Sequence, residues 1–150
     1  MDYRLFRAED FPALYAIEER CFEPPQRFER RYMYSLVNNP EAATWIAEED
    51  GRMAGFGIAD WTELHGQKLA YIQTLEVMPE IRRRGVGLEL LHRLEASARL
   101  FDCRYIWLHV DLENEAAVKL YERERYESKG TRADYYGTGR AAAVYSKLLI

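Results

Sequence analysis

The stretch from Val77 to Gly87 reads Val-Met-Pro-Glu-Ile-Arg-Arg-Arg-Gly-Val-Gly and separates a predicted strand from a predicted helix. The strand, residues 69–77, is mostly apolar and is ended by a proline, which lacks the amide donor that a sheet requires. The helix covers residues 85–101 and has apolar side chains along one face. With a strand predicted at residues 105–110, this order indicates a parallel strand pair joined by a right-handed helical crossover.

The segments on either side predict antiparallel strands around this parallel pair. Asp50-Gly51 lies between two strand-like segments and is a strong hairpin signal. Asp10 is expected to cap the first helix. The pattern predicts an α/β (α+β) fold with a mixed central sheet of about seven strands and helices on both faces. The other predicted strands are residues 3–6, 44–48, 53–59, 126–131 and 142–149, and the other helices are residues 10–21, 28–37 and 114–124.

Composition favours one soluble domain over residues 1–150. Apolar residues make up 48% of the chain and charged residues 31%, which argues against disorder. The chain has no apolar run long enough to span a membrane and no signal-peptide pattern at its start. The net charge of −4 disfavours a general nucleic-acid binder. Cys21 and Cys103 fit neither a disulfide framework nor a metal site, so we expect a cytoplasmic protein without a metal.

The turn at residues 82–87 has the chemistry of a phosphate-binding site. Three consecutive arginines at a helix start are electrostatically unfavourable unless an anion is bound, because the helix start already carries partial positive charge. Gly85 and Gly87 lack the β-carbons that would keep a phosphate away from the backbone. The turn therefore indicates a pyrophosphate site with arginines for further phosphates. A solvated basic turn, in which the glycines only permit bending, is the alternative.

A second motif follows in Asn114-Glu115-Ala116-Ala117-Val118-Lys119-Leu120-Tyr121-Glu122. The two motifs resemble, in order and separation, the signatures of the GNAT acetyltransferases, whose coenzyme A motif is Arg/Gln-x-x-Gly-x-Gly/Ala. The element order resembles the same fold over essentially the whole chain. The resemblance implies that strands 4 and 5 splay apart to admit the pantetheine arm of acetyl-CoA, the expected co-substrate.

The resemblance also implies roles for individual residues. Backbone groups on strand 4 would bind pantetheine and polarise the thioester, and amides at the helix start would hold the pyrophosphate. Tyr121 would face the thioester sulfur, and its phenol, with an ordinary pKa near 10, can protonate a leaving thiolate. An ordinary core aromatic is the alternative for Tyr121. The expected cofactor-binding residues are Leu75, Glu76, Val77, Arg82, Arg83, Arg84, Gly85, Val86, Gly87, Leu88, Asn114, Ala117 and Tyr121.

Three further features resemble the RimI-like protein N-terminal acetyltransferases. The Pro-containing segment 18–25 resembles their substrate loop, which would place Phe22, Pro24 and Pro25 against the acceptor. Tyr71 and His109 resemble a tyrosine and histidine that act as catalytic base, and Tyr71 is expected to share a strand face with Gln73 and Leu75. Tyr135-Tyr136 resembles a tyrosine pair that clamps a peptide backbone. Each feature also has a structural alternative: a loop-shaping proline pair, a satisfied strand histidine and a covered sheet edge.

Other features leave the acceptor amine open. Arg125 stands where the family usually has glycine, His109 where bacterial relatives acting on ribosomal proteins usually have glutamate, and Arg140-Ala141-Ala142 where those relatives have an acidic pair. An α-amine with a pKa near 8 is deprotonated far more easily than a lysine near 10.4, which favours a peptide N-terminus. Acidic residues near the substrate loop favour a small amine such as a polyamine, an amino sugar or an amino acid. A non-catalytic acyl-CoA-binding module is the third possibility.

Overall fold

A computed structural model describes residues 1–149. The element order agrees with the sequence prediction. The strands are β1 (Asp2–Leu5), β2 (Ala42–Glu49), β3 (Arg52–Leu64), β4 (Gln67–Val77), β5 (Tyr105–Asp111), β6 (Glu127–Arg132) and β7 (Ala142–Leu148). The α-helices are α1 (Phe11–Cys21), α2 (Arg30–Val37), α3 (Val86–Leu100) and α4 (Glu115–Arg123).

The seven strands form one mixed sheet in the order β1-β2-β3-β4-β5-β7-β6. Among the strands of residues 1–149 only β4 and β5 pair in parallel, and α3 connects them. Their register runs from Leu69–Tyr105 to Tyr71–Trp107 and stops there, although both strands continue beyond it. The predicted splay is therefore confirmed, and the strands separate immediately after Tyr71 and Trp107.

Helices cover both faces of the sheet, as predicted. Apolar side chains of α3 and α4 pack against one face, where Leu91 and Leu94 meet Ile106 and Leu108. The α1 and α2 helices cover the opposite face and bury a separate apolar cluster, which includes Leu14, Ile17, Met33, Ile46, Phe56 and Ile58. Within residues 1–149, no helix is long and apolar enough to cross a membrane.

A β-bulge in β4 lies next to the splay. Ile58 pairs with Thr74 but the adjacent Ala59 pairs with Ile72, so Gln73 is an extra residue with no partner position on β3. A bulge interrupts the two-residue alternation of side chains. As a result Leu75 packs with the α3 cluster, whereas Tyr71 lies with His109 on the other face. The prediction that Tyr71 and Leu75 share a face was wrong for this reason.

Two other local predictions were wrong. The hairpin of β3 and β4 is longer than the sequence indicated. Residues 60–64 continue β3 to a turn at His65-Gly66, and the buried side chain of Trp61 anchors this extension in the core. Asp10 precedes α1 but its side chain does not cap the helix. Its carboxylate instead accepts hydrogen bonds from both terminal nitrogens of Arg4 at 2.8 Å and from the Arg7 amide at 2.7 Å.

Arg125, a position where the resemblance described above implies glycine, adopts the left-handed conformation that glycine tolerates best. Its φ is 71°, directly after the end of α4. The turn is closed by the Tyr126 amide, which donates to the Tyr121 carbonyl at 2.9 Å. A side chain in this conformation costs about 1 kcal/mol relative to glycine, so the turn keeps its geometry at a modest loss of stability.

Candidate active site

The splay between β4 and β5 opens into a cavity of about 850 Å³. Both strands supply lining side chains, α4 closes one side, and the segments after α1 and before β7 lie over the other. The residues predicted from sequence that line it are Phe22, Tyr71, Leu75, His109, Asn114, Ala117, Tyr121, Tyr135 and Tyr136. The structure therefore brings together the predicted catalytic residues and part of the predicted substrate-binding set.

Tyr71 and His109 are in direct contact at the point where the strands separate. The Tyr71 hydroxyl lies 2.8 Å from His109 Nδ1. Tyr135 stacks on the imidazole, with ring centroids 4.4 Å apart and planes 11° apart. Trp107 packs against both Tyr71 and His109, with centroid distances of 4.5 and 5.3 Å. The imidazole is thus held between aromatic rings, with one nitrogen bonded and one left available.

Burial sets the protonation states of this pair. It lowers the pKa of His109, with a smaller contribution from the charge of Arg132. Burial also raises the pKa of Tyr71, and nearby Tyr135 adds to the effect. At neutral pH His109 is therefore neutral and Tyr71 is protonated. His109 Nε2 is buried and has no hydrogen-bond partner among residues 1–149, so it can serve as a proton acceptor.

The arginine–glycine turn begins α3, and its three arginines have different environments. Gly85 has a φ of 79°, and a β-carbon built there would meet no protein atom within 4 Å. Arg84 forms a two-point ion pair with Glu49 at 2.6 and 3.0 Å, and Arg82 Nε donates to the Val77 carbonyl at 3.1 Å. Arg83 is exposed and makes no hydrogen bond or ion pair within the described part of the chain.

These features fit an anionic ligand at the turn. The backbone of Gly85 is unobstructed, and the α3 amides that follow it have no partner within their own helix. Arg83 supplies a guanidinium that is not already neutralised. Residues 82–88 lie outside the lining of the large cavity, so the turn and the strand gap form two adjoining parts of a longer candidate site.

Tyr121 lies at the inner end of the cavity on α4. It is buried, and its ring meets Tyr126 edge-on at a centroid distance of 5.4 Å. Burial raises the pKa of its hydroxyl, so the group stays protonated well above neutral pH. Asn114 begins the same helix, and its Oδ1 accepts from the Ala117 amide at 3.2 Å. Asn114 is therefore the N-cap of α4.

Two loops meet over the outer end of the cavity. Gln26 Nε2 donates to the Tyr136 carbonyl at 2.8 Å and so joins the loop after α1 to the loop before β7. Phe22 and Tyr135 are partly exposed at this end. Pro24 and Pro25 shape the first loop but do not line the cavity. Their predicted contact with an acceptor is therefore less direct than that of Phe22.

Several lining residues were not predicted from the sequence. Gln26, Phe28 and Tyr32 come from the first loop and α2, and Gln73 reaches the cavity through the bulge. The bulged Gln73 donates from Nε2 to Asp60 at 2.9 Å. No local pattern marks these positions, because their role depends on how α2 packs on the sheet and on a change of register.

Most carboxylates around the cavity are already partnered. Arg140 contacts Asp111, and its Nε lies 3.0 Å from Glu113. Glu18 Oε2 accepts from the Phe28 amide at 2.9 Å. Arg140 therefore offsets one unit of the charge of Asp111 and Glu113, whereas Glu18 is held by a backbone amide. Within the described residues, no group of three His, Cys, Asp or Glu side chains could hold a metal ion.

Comparison with known proteins agrees with this geometry. The model of the acetyltransferase (GNAT) family matches residues 11–125. A Pectobacterium atrosepticum protein named as an acetyltransferase is 31% identical over 134 residues, which cover 85% of this chain and 89% of the relative.

Solved structures show the same fold at lower identity. NAA60 of Arabidopsis thaliana in complex with acetyl-CoA is 22% identical with a TM-score of 0.87, and the match covers 98% of this chain and 97% of that one. A ribosomal-protein-alanine N-acetyltransferase from Brucella melitensis is 19% identical with a TM-score of 0.83, covering 99% of both chains. An aminoglycoside 6'-N-acetyltransferase complexed with coenzyme A is 16% identical with a TM-score of 0.84, covering 100% of this chain and 98% of that one.

The stacking of Tyr135 on His109 predicts a measurable effect on the imidazole. Replacing Tyr135 with alanine exposes the ring to water, so the pKa of His109 should rise toward its ordinary value near 6.5. Tyr135→Phe keeps the stacked ring and is the matched control, in which the pKa should stay lowered. NMR titration of the imidazole measures both, and equal titration curves for the two variants would contradict the assignment of the shift to burial.

Proposed function

The chain belongs to the GNAT acetyltransferase family, and from this premise we propose that it acetylates the α-amino group of a peptide or protein N-terminus. The enzyme is an acetyltransferase, and its co-substrate, acetyl-CoA, supplies the activated acetyl group as a thioester. The observation that carries the choice of acceptor is the outer end of the cavity, where two joined loops present aromatic and backbone groups and Arg140 pairs with two of the carboxylates. We also propose that the enzyme is cytoplasmic.

The donor end of the site supports binding of the coenzyme A diphosphate at the start of α3. Amides of residues 83–88 would hold the diphosphate, and Arg83 would contact a further phosphate. The backbone of Leu75, Glu76 and Val77 lies on the part of β4 that has left β5. These groups can bind the amide-rich pantetheine arm, because their edge of β4 has lost its neighbouring strand.

His109 is the proposed general base. If Nδ1–H donates to the Tyr71 oxygen, the lone pair of Nε2 is free to take the proton that the acceptor ammonium must lose before attack. The lowered pKa of His109 keeps that lone pair available at neutral pH. Tyr71 is a positioning residue here: its raised pKa keeps it a neutral phenol that fixes the tautomer and ring orientation.

Tyr121 is the proposed acid for the leaving sulfur. Its hydroxyl lies in the same cavity, on the α4 side, and its raised pKa means that it holds a proton at neutral pH. As the new C–N bond forms and the C–S bond breaks, Tyr121 can give that proton to the sulfur. The acceptor nitrogen loses two protons in all, one before attack and one as the C–N bond forms. His109 can take each in turn and release it to water, while Tyr121 gives one proton to the sulfur and regains one from water, so one proton is released per turnover.

The partnered carboxylates favour a peptide over a polycation. A polyamine or an amino sugar carries several positive charges and is bound best by unneutralised acids. Arg140 pairs with two of the four carboxylates that line the cavity and offsets one unit of their charge, and Glu18 is buried with its hydrogen bond to Phe28. Glu23 is the remaining acid. Aromatic side chains such as Phe22, Tyr32 and Tyr135 suit an extended peptide, since they offer area and hydroxyl groups together.

The donor site predicts that Arg83 and Arg84 contribute unequally to acetyl-CoA affinity. Arg83→Gln should weaken acetyl-CoA binding about 10-fold and lower its salt dependence, because a phosphate would lose a charged partner. Arg84→Gln is the matched control and should cost less, since Glu49 already holds that guanidinium. Calorimetry measures both affinities. If Arg83→Gln binds acetyl-CoA as tightly as the wild type, Arg83 does not contact a phosphate.

The base assignment predicts a change in the pH profile. His109→Ala should lower kcat/KM by about 10²-fold and remove the limb along which activity falls as His109 becomes protonated. That limb should lie below the ordinary imidazole pKa near 6.5, because burial lowers the pKa of His109. Tyr71→Phe should cost less, since it orients the base without taking the proton. A His109→Ala profile with wild-type shape and height would place the base elsewhere.

The acceptor is tested directly with a peptide library. Peptides with a free N-terminus should be acetylated on the α-nitrogen, as located by mass spectrometry, and copies with a blocked N-terminus should not react. Blocked peptides that contain an internal lysine are the control for side-chain acetylation. If a polyamine or an amino sugar reacts faster than every peptide, the small-amine function replaces the one proposed here.

A further inference from the structure

Two carboxyl groups are buried together beside the cavity, and neither takes part in the proposed chemistry. Glu18 on α1 is 1% exposed and Glu76 on β4 is 3% exposed. Glu18 lies close enough to Glu76 to raise its pKa, after burial itself, through a hydrogen bond and through its charge. Two unpaired carboxylates cannot both be ionised at this separation without strong repulsion, so the arrangement requires a proton.

The hydrogen bonds of the pair leave one oxygen of each carboxyl group without a donor. Glu18 Oε2 accepts from the Phe28 amide at 2.9 Å, and Glu76 Oε2 accepts from the Thr74 hydroxyl at 2.5 Å. The other oxygen of each group, Oε1, is buried without a partner among residues 1–149. One proton shared by the two carboxyl groups would supply the donor that they lack, and the pair would then carry one negative charge.

Few charged groups surround this carboxyl pair. The side chains packed around it from α1, α2 and β3 are mainly apolar, among them Ile17, Met33 and Phe56. The titratable and charged groups that face it are Cys21 on α1 and, beyond that thiol, Arg82. Arg82 lies 3.8 Å from Cys21 Sγ and is partly engaged by the Val77 carbonyl. No cation makes a direct ion pair with Glu18 or Glu76 within the described chain.

We propose that Glu18 and Glu76 share one proton, and that this shared proton holds the substrate loop (residues 22–28) against β4. The connection runs from β4 through Glu76 to Glu18 and from Glu18 to the Phe28 amide at the end of the loop. Loss of the proton places two negative charges in contact and drives the carboxyl groups apart. The hydrogen bond to Phe28 then weakens, and the loop loosens over the outer end of the cavity.

The pH dependence has a definite sign. Burial, together with Glu18, raises the pKa of Glu76 well above its ordinary value. The folded state therefore keeps a proton that the unfolded chain has lost. Stability should fall as the pH rises from the ordinary carboxyl range through the raised pKa of the pair, and it should become level above that pKa. A carboxyl pair held apart by cations would show the opposite trend.

Glu18→Gln is the informative variant, because an amide mimics the protonated form. Its oxygen can accept from Phe28 while its NH₂ donates to Glu76, so the connection persists without a titrating proton. Glu18→Met removes the connection and keeps a buried side chain of similar length. Amide hydrogen exchange of Phe28 reports the loop without any assay of catalysis, and denaturant unfolding reports stability.

In the wild type, protection of the Phe28 amide should fall about 10-fold or more between about pH 6 and about pH 9, after correction for intrinsic exchange. In Glu18→Gln the protection should stay constant, and the loss of stability over the same range should be smaller than in the wild type, because burial still raises the pKa of Glu76 but no second carboxylate repels it. Glu18→Met should show low protection at every pH. Parallel curves for the wild type and Glu18→Gln would overturn the shared proton, and Glu18→Gln settles this even if Glu18→Met does not fold.

An effect on catalysis is the further consequence, and it rests on the proposed function. The acceptor KM should rise with pH in the wild type and stay level in Glu18→Gln, while the KM for acetyl-CoA should change in neither. If the exchange and stability results hold but no peptide reacts, the proposed acceptor is wrong and the shared proton stands. If peptides react and the Phe28 protection of the two proteins is the same, the shared proton is wrong and the acceptor stands.

Discussion

The separation of β4 from β5 is the constraint on which the rest of the site depends. Both strands are central in the sheet, and a central strand normally satisfies its backbone on both edges. Here the pairing ends at Tyr71 and Trp107, so the residues that follow in both strands leave backbone groups on the inner edges without a strand partner. Those groups need another partner, and an extended, amide-rich arm such as pantetheine can provide it. The sheet is stable around the gap because β3 and β7 pair fully with the outer edges of the two strands.

The gap also explains why the candidate catalytic groups lie where they do. Tyr71 and His109 meet at its closed end, where the strands are still close enough for a direct hydrogen bond. Tyr121 reaches it from α4, on the other side of the sheet from α1 and α2. A base on one side and an acid on the other suit a reaction that takes a proton from one substrate and gives one to the other.

The bulge at Gln73 determines which β4 side chains lie on each face of the sheet beside the gap. It sends Leu75 toward α3, where Leu75 packs in the core, and it turns Gln73 toward Asp60 and the cavity. Glu76 follows on the α1 side and meets Glu18 there. One inserted residue thus separates the apolar lining from the polar lining, and it brings a buried carboxyl group under the loop that covers the acceptor end.

The sequence by itself determined the order of elements, the mixed sheet and the turn that begins α3, because each depends on local signals. These signals are apolar periodicity, proline and glycine at the breaks, and a run of arginines at a helix start. It also indicated Tyr71, His109 and Tyr121, which lie in motifs of a recognisable family. Only the tertiary structure decided which groups are neutralised and which face each other. Arg84 pairs with Glu49, Arg140 with Asp111, and Glu18 with Glu76 across 35, 29 and 58 positions of the chain. Such contacts depend on how strands and helices pack, and a single sequence carries no local pattern that reports them.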